Sequence, residues 1–194
     1  MIKDFDLLQR ANNDYTTIDL EHAEELAYRE LIDSIRYISL GDECGVMGNI
    51  ANIITYKGRF YIQEEQFDRV FIYDDTGRCL KKIDNKERGP GEYLRIESID
   101  INTEKEELML VDGMSDKLFF YDLDGNFKSI HSIRYFQTEN TLCLRDSVFL
   151  HISAPSQNFG NEGLYGYALV LSKGNENFLK GYRYLPCLLY TSPS

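Results

Sequence analysis

From about residue 50 onward, apolar and polar positions change over short runs and not at the three-to-four spacing of a helix. "RFYIQE" (59–64), "RVFIYD" (69–74), "ELMLVD" (107–112) and "KLFFYD" (117–122) are rich in β-branched and aromatic side chains and predict strands. "DDTG" (74–77) and "DLDG" (122–125) separate such runs, with Gly77 and Gly125 supplying the positive φ that other residues resist in a tight turn. The pattern predicts hairpins.

Sliding the chain by 48 residues exposes an internal repeat. Asp68 falls on Asp116, Phe71 on Phe119, Tyr73 on Tyr121, Asp74 on Asp122 and Gly77 on Gly125, all without a gap. Phe60 with Leu108, Ile62 with Leu110, Arg69 with Lys117 and Val70 with Leu118 keep size or charge, and Ile53 falls on Ile101. A period of roughly 40–50 residues carrying about four strands is the mark of a propeller blade, a twisted sheet that cannot bury both its faces alone. The fold class predicted is all-β, a partial β-propeller of about three four-stranded blades at about 50–83, 98–133 and 141–185. The third copy is the most divergent and carries an insertion over 154–166, "APSQNFGNEGLYG".

Before the blades, residues 1–34 form an acidic leader. Residues 1–33 hold nine acids against Lys3, Arg10 and Arg29, a solvated segment with a short helix expected within "EHAEELAYRELIDSI" (21–35). "IRYISL" (35–40) then predicts a strand leading into the glycine-punctuated "GDECGVMGN" (41–49).

Composition narrows the function classes. A formal charge of −11 argues against nucleic acid or an anionic membrane as partner, since both require a cationic surface. No run approaches the ~18 apolar residues of a transmembrane helix, and "MIKDFDLLQRANND" lacks a secretory h-region, so the chain as written belongs in the cytoplasm. Cys44, Cys79, Cys143 and Cys187 include no C-x-x-C and fit no zinc or redox spacing, which predicts isolated structural thiols. His22, His131 and His151 are scattered, and no histidine-based metal site is expected.

"KERGPGEY" (86–93) is the one stretch with the look of a signature. It is neither G-x-x-x-x-G-K-[ST] nor a strand-to-helix G-x-G-x-x-G, so it is no phosphate cradle. Gly89, Pro90 and Gly91 suit the sharp reversal from the outer rim of one blade to the axis of the next. Together with Tyr73, Asp74, Gly77, Glu92, Tyr93, Ile99, Ile101 and the entry segment "IRYISL", it resembles the bacterial six-bladed, NHL-repeat-like β-propellers of Bacteroidetes over about residues 16–185. That resemblance implies about six blades and an address in the cell envelope or periplasm. The chain departs from it in lacking a leading signal and in showing three blades. "CLLYTSPS" (187–194) looks like a translated sequencing adapter, so the expected product is a fragment with a non-native tail beyond about Pro186.

Alternating strand directions place the second-to-third-strand turns and the blade-to-blade crossings on one face. That face collects Glu64, Glu65, Asp68, Asp112 and Asp116 with Arg88, Glu92 and Tyr93, the candidate binding residues. The repeated aspartates equally suit local turn bonding, and Glu92 and Tyr93 equally suit a link between blades. No catalytic set and no cofactor is evident, although clustered carboxylates of this kind could hold Ca²⁺. The function expected is a binding module for a peptide, glycan or protein partner. The alternative is a metal-assisted propeller hydrolase or lyase working on the same face.

Overall fold

The computed structural model describes residues 32–86, 92–133, 140–145, 147–152, 167–174 and 177–183. Twelve strands follow one another within them: β1 (Ile50–Tyr56), β2 (Arg59–Glu64), β3 (Arg69–Asp74), β4 (Cys79–Ile83), β5 (Ser98–Asn102), β6 (Glu107–Asp112), β7 (Lys117–Asp122), β8 (Phe127–Ser132), β9 (Asn140–Arg145), β10 (Val148–Ile152), β11 (Tyr167–Lys173) and β12 (Asn177–Arg183). Consecutive strands pair antiparallel into three four-stranded sheets, β1 to β4, β5 to β8 and β9 to β12. The first strands of neighbouring sheets lie side by side, β1 by β5 and β5 by β9. The chain is therefore an all-β partial propeller with three blades fanned from a common edge.

Burial follows from that stacking. The middle strands β2, β3, β6 and β7 are buried on both faces over most of their length, which explains why they read as near-continuous apolar runs and not as clean alternation. Tyr61, Val70 and Ile72 of blade 1 pack against Ile99, Leu108, Leu110 and Phe119 of blade 2. The opposite face of blade 2, with Met109, Val111, Leu118 and Phe120, packs against Phe149 and Val170 of blade 3. On blade 1 the remaining face, Ile62, Phe71 and Tyr73, is covered by Cys44 and Met47 from the chain ahead of β1. A disulfide joins Cys44 to Cys79 of β4 there. The expectation of isolated thiols is thus corrected for this pair, whose 35-residue separation matches no short-range motif.

In blades 1 and 2 the turn between third and fourth strands packs against the chain that precedes the blade. Gly77 (φ 87°) and Gly125 (φ 79°) both sit in the left-handed region. A Cβ on Gly125 would come within 2.9 Å of Ile72 Cδ1 and Lys81 Cγ in blade 1. A Cβ on Gly77 would collide with the Ser39 carbonyl of the described chain ahead of β1, residues 32–49, called the leader from here on. The leader therefore lies against blade 1 where, one repeat later, β3 and β4 lie against blade 2.

Residues 35–40 do not form the strand expected of them. Ile35 and Tyr37 are 68% and 92% exposed, no sheet edge runs beside the segment among the described residues, and only Ile38 of its apolar positions is half-buried, against the Gly77 turn. It holds to blade 1 through the turn: Arg36 Nη2 donates to the Asp75 carbonyl at 2.8 Å, and the Gly41 N–H to the Gly77 carbonyl at 2.7 Å. Of the helix expected over 21–35, only 32–35 is described, and it is not helical. The insertion at 154–166 and the tail at 187–194 lie outside the described residues, as do Arg88, Gly89, Pro90 and Gly91.

Candidate functional site

The face carrying the second-to-third-strand turns is built on buried carboxylates. Glu64 is fully buried, and its two oxygens accept the N–H groups of Gln66 (3.0 Å) and Phe67 (3.2 Å). At the equivalent place Asp112 accepts Met114 N–H (3.0 Å), Ser115 N–H (3.1 Å) and the Ser115 hydroxyl (2.6 Å). Its second oxygen also accepts the Leu94 N–H at 2.7 Å, tying the turn of blade 2 to the crossing that enters that blade. Both carboxylates spend their lone pairs on turn backbone that would otherwise be unpaired.

Asp68 and Asp116, which the repeat makes equivalent, differ. Each holds a positive φ, 55° and 53°, as its turn closes. Asp68 is buried; one oxygen accepts the Ile96 N–H at 3.1 Å and the other pairs with Lys86, so it clamps the crossing between blades and not its own turn. Asp116 is exposed, and burial of its surroundings, with Asp112 close by, raises its carboxyl above the ordinary range. Tyr93 is wholly buried against Phe119, edge to face with centroids 6.0 Å apart. Its hydroxyl donates to the Asp68 carbonyl at 2.8 Å and accepts the Asn85 N–H at 3.1 Å, and burial pushes the phenol well above its usual range. Glu92 is half-buried at the same crossing, and Glu65 is exposed. The structure thus brings Asp68, Tyr93 and Asp112 together around one crossing, as scaffold.

What these turns hold up to solvent is apolar. Phe67 and Met114, inside "EEQFD" and "DGMSD", are 45% and 65% exposed. Arg69 stacks on the Phe67 ring with its guanidinium carbon 4.5 Å from the centroid, which fixes the ring's outward pose. Arg95, also largely exposed, lies on the crossing between them and pairs with Glu97. The sequence reading passed over Phe67 and Met114; an apolar residue inside an otherwise polar turn was the available signal.

On the opposite face a cleft of about 430 Å³ is lined by Lys57, Arg59, Glu106, Asp122, Leu123 and Asp124. Its cations are paired across the blade junction, Lys57 with Glu106 and Arg59 with Asp124 at 2.7 Å. In blade 3, His151 is buried between the Thr141 hydroxyl (2.9 Å) and the Ser172 hydroxyl (2.8 Å), and burial lowers its pKa to about 4. Among the described residues no group of three or more His, Cys, Asp or Glu is placed to hold a metal ion.

Three four-stranded antiparallel sheets fanned from their first strands define a β-propeller-type protein. The chain belongs to the family of the domain of unknown function DUF4934, whose model matches residues 15–184. No curated protein sequence matches it. Among solved structures it is similar to a Bacteroides fragilis protein taken to be exported, with a TM-score of 0.69 and 19% identity over 79% of this chain and 43% of that one. It is also similar to U3-55K, with a TM-score of 0.50 and 11% identity over 70% of this chain and 39% of the other. The chain spans less than half the length of both.

Proposed function

We propose that this protein is a propeller binding module that recognises a peptide, glycan or protein partner through the face bearing the 64–68 and 112–116 turns. The observation that carries the reading is the division of labour in those turns: Glu64 and Asp112 are consumed as buried caps, while Phe67 and Met114 are raised into solvent. Apolar side chains carried on turns that buried carboxylates hold in place suit a recognition face, because little backbone order is lost on binding. Arg95 adds one cation beside them, Asp116, Glu65 and Glu92 supply an acidic rim, and Arg88, outside the described residues, stays a candidate by its sequence. The carboxylates on which the metal-assisted alternative would draw, Glu64 and Asp112, already accept turn N–H groups.

The module belongs to a larger ring of about six blades in the cell envelope. The similarity to a longer Bacteroides protein taken to be exported supports that reading, and so does a disulfide, a bond that persists in oxidising compartments. The experiment is to pan a random peptide library and a glycan array on the protein beside its Phe67→Ser/Met114→Ser variant. Ligands bound by the parent and lost from the variant at unchanged thermal stability are expected. Equal binding to both would move the site elsewhere.

A further inference from the structure

We infer that Cys44 and Cys79 are a thiol-oxidation site whose disulfide latches the leader onto the open face of blade 1, so that this face is closed only after the chain meets an oxidising environment.

The site receiving the leader is made by the repeat. Arg59 Nη1 donates to the Leu123 carbonyl of the next blade's third-to-fourth-strand turn at 2.8 Å. One repeat earlier that carbonyl belongs to Asp75, and its donor is Arg36 of the leader, also at 2.8 Å. Gly125 is pressed against Lys81 and Ile72 of a blade, and Gly77 against Ile38 and Ser39 of the leader. Blade 1 thus presents the same receiving turn as blade 2, but what lies on it is a single segment and not a four-stranded sheet.

That segment is weakly held on its own account. Residues 35–40 contribute no ladder bonds, and Val46 is 84% exposed in addition to Ile35 and Tyr37. Tyr73 Oη reaches the Gly41 carbonyl at 3.3 Å, and the Cys79 N–H reaches Glu43 at 3.3 Å. A few part-buried bonds of this kind sit at the low end of local stability, where segments open readily. A covalent tether changes this by raising the effective concentration of leader at its seat, without any new contact. Cys44 and Met47 cap the Ile62, Phe71 and Tyr73 cluster beside the tether, so the bond is placed where apolar surface is otherwise bare.

The step is a two-electron thiol–disulfide exchange. Two thiols of this chain lose two electrons and two protons to the disulfide of an oxidant of the dithiol-exchange class, which leaves as a dithiol.

The test uses the whole chain. Alkylation under denaturing conditions without reductant should modify Cys143 and leave Cys44 and Cys79 unmodified, and with reductant should modify all three. Limited trypsin digestion of the folded protein should cleave after Arg36 at least about tenfold faster once dithiothreitol is added. The Cys44→Ser variant should cleave at the faster rate with or without dithiothreitol, and Cys143→Ser at the slower one until reduced. Four free thiols after treatment with a glutathione redox buffer, or cleavage after Arg36 indifferent to reduction, would overturn the inference. So would digestion of Cys44→Ser throughout the three sheets, because the bond would then support the fold at large and not the leader.

Discussion

Two aspartates that the repeat equates carry different energetic weight. Asp68 is buried with a backbone N–H and a lysine on its two oxygens, whereas Asp116 is exposed and shares only the left-handed backbone. Asp68→Ala should cost about 1–3 kcal/mol, since it strands the buried Ile96 N–H. Asp116→Gly should be neutral or stabilising by up to about 1 kcal/mol, because glycine removes the steric penalty of positive φ. Urea denaturation of both variants decides the matter, and equal losses would refute the assigned roles. His151 makes a prediction about pH at the same scale. Its folded pKa of about 4 lies below the ordinary 6.5, so the native state holds the ring neutral and unfolding takes up a proton. The stabilisation is whole above the unfolded value and is lost as pH falls from about 6.5 toward 4, amounting to about 2 kcal/mol by pH 5. His131, also lowered by burial, acts in the same direction, while Asp100, raised by burial, stabilises on the acid side and loses that contribution as pH rises. The fall in stability between pH 7 and 5 should therefore be smaller in His151→Gln than in the parent.

At the scale of elements, the glycine turns test whether the leader truly stands in for a blade. Alanine at Gly125 meets side-chain atoms, Ile72 Cδ1 and Lys81 Cγ, at 2.9 Å, a looser approach than the 2.1 Å between a Cβ on Gly77 and the Ser39 carbonyl. Alanine at Gly77 meets a backbone carbonyl held by the tethered segment. Both substitutions carry the left-handed penalty of about 1–2 kcal/mol, but Gly77→Ala should lose more, and the excess should vanish when Cys44→Ser frees the leader. Thermal unfolding of the single and double variants measures this, and an unchanged difference would mean that the leader does not crowd the turn. These elements also show what a single sequence discloses. Strands and hairpins were legible because Asp74 and Asp122 cap the same turn twice, and a task repeated at a fixed spacing leaves a visible pattern. The disulfide was not legible, since Cys44 has no counterpart 48 residues on and its partner lies across space. Nor was the exposed course of residues 35–40, whose apolar character suits a sheet neighbour that the described residues do not provide. At the candidate site the carboxylates were legible as residues but not as caps, because burial separates a cap from a ligand and sequence alone does not report it.

The whole molecule is an arc with two unlike ends. At one end the leader covers blade 1; at the other, the far face of blade 3 is apolar. Leu150 pairs with Leu142 and Leu171 across three adjacent strands, so their side chains share that face. Leu144 and Leu179 on the same sheet are 49% and 44% exposed. The corresponding face of blade 2 buries Met109, Val111, Leu118 and Phe120 to 3% exposure or less because another blade lies on it. Leu142, Leu150 and Leu171 are half-buried there, and apolar surface left uncovered drives association. The chain as it stands should therefore self-associate in a concentration-dependent way, seen as a rising weight-average mass in sedimentation velocity. Leu144→Lys with Leu150→Lys should return it toward the monomer with its far-ultraviolet dichroism intact, since both residues sit on the open face and not between blades. A parent that stays monomeric at every concentration would mean that this face is satisfied within one chain, and the open-arc description would fail.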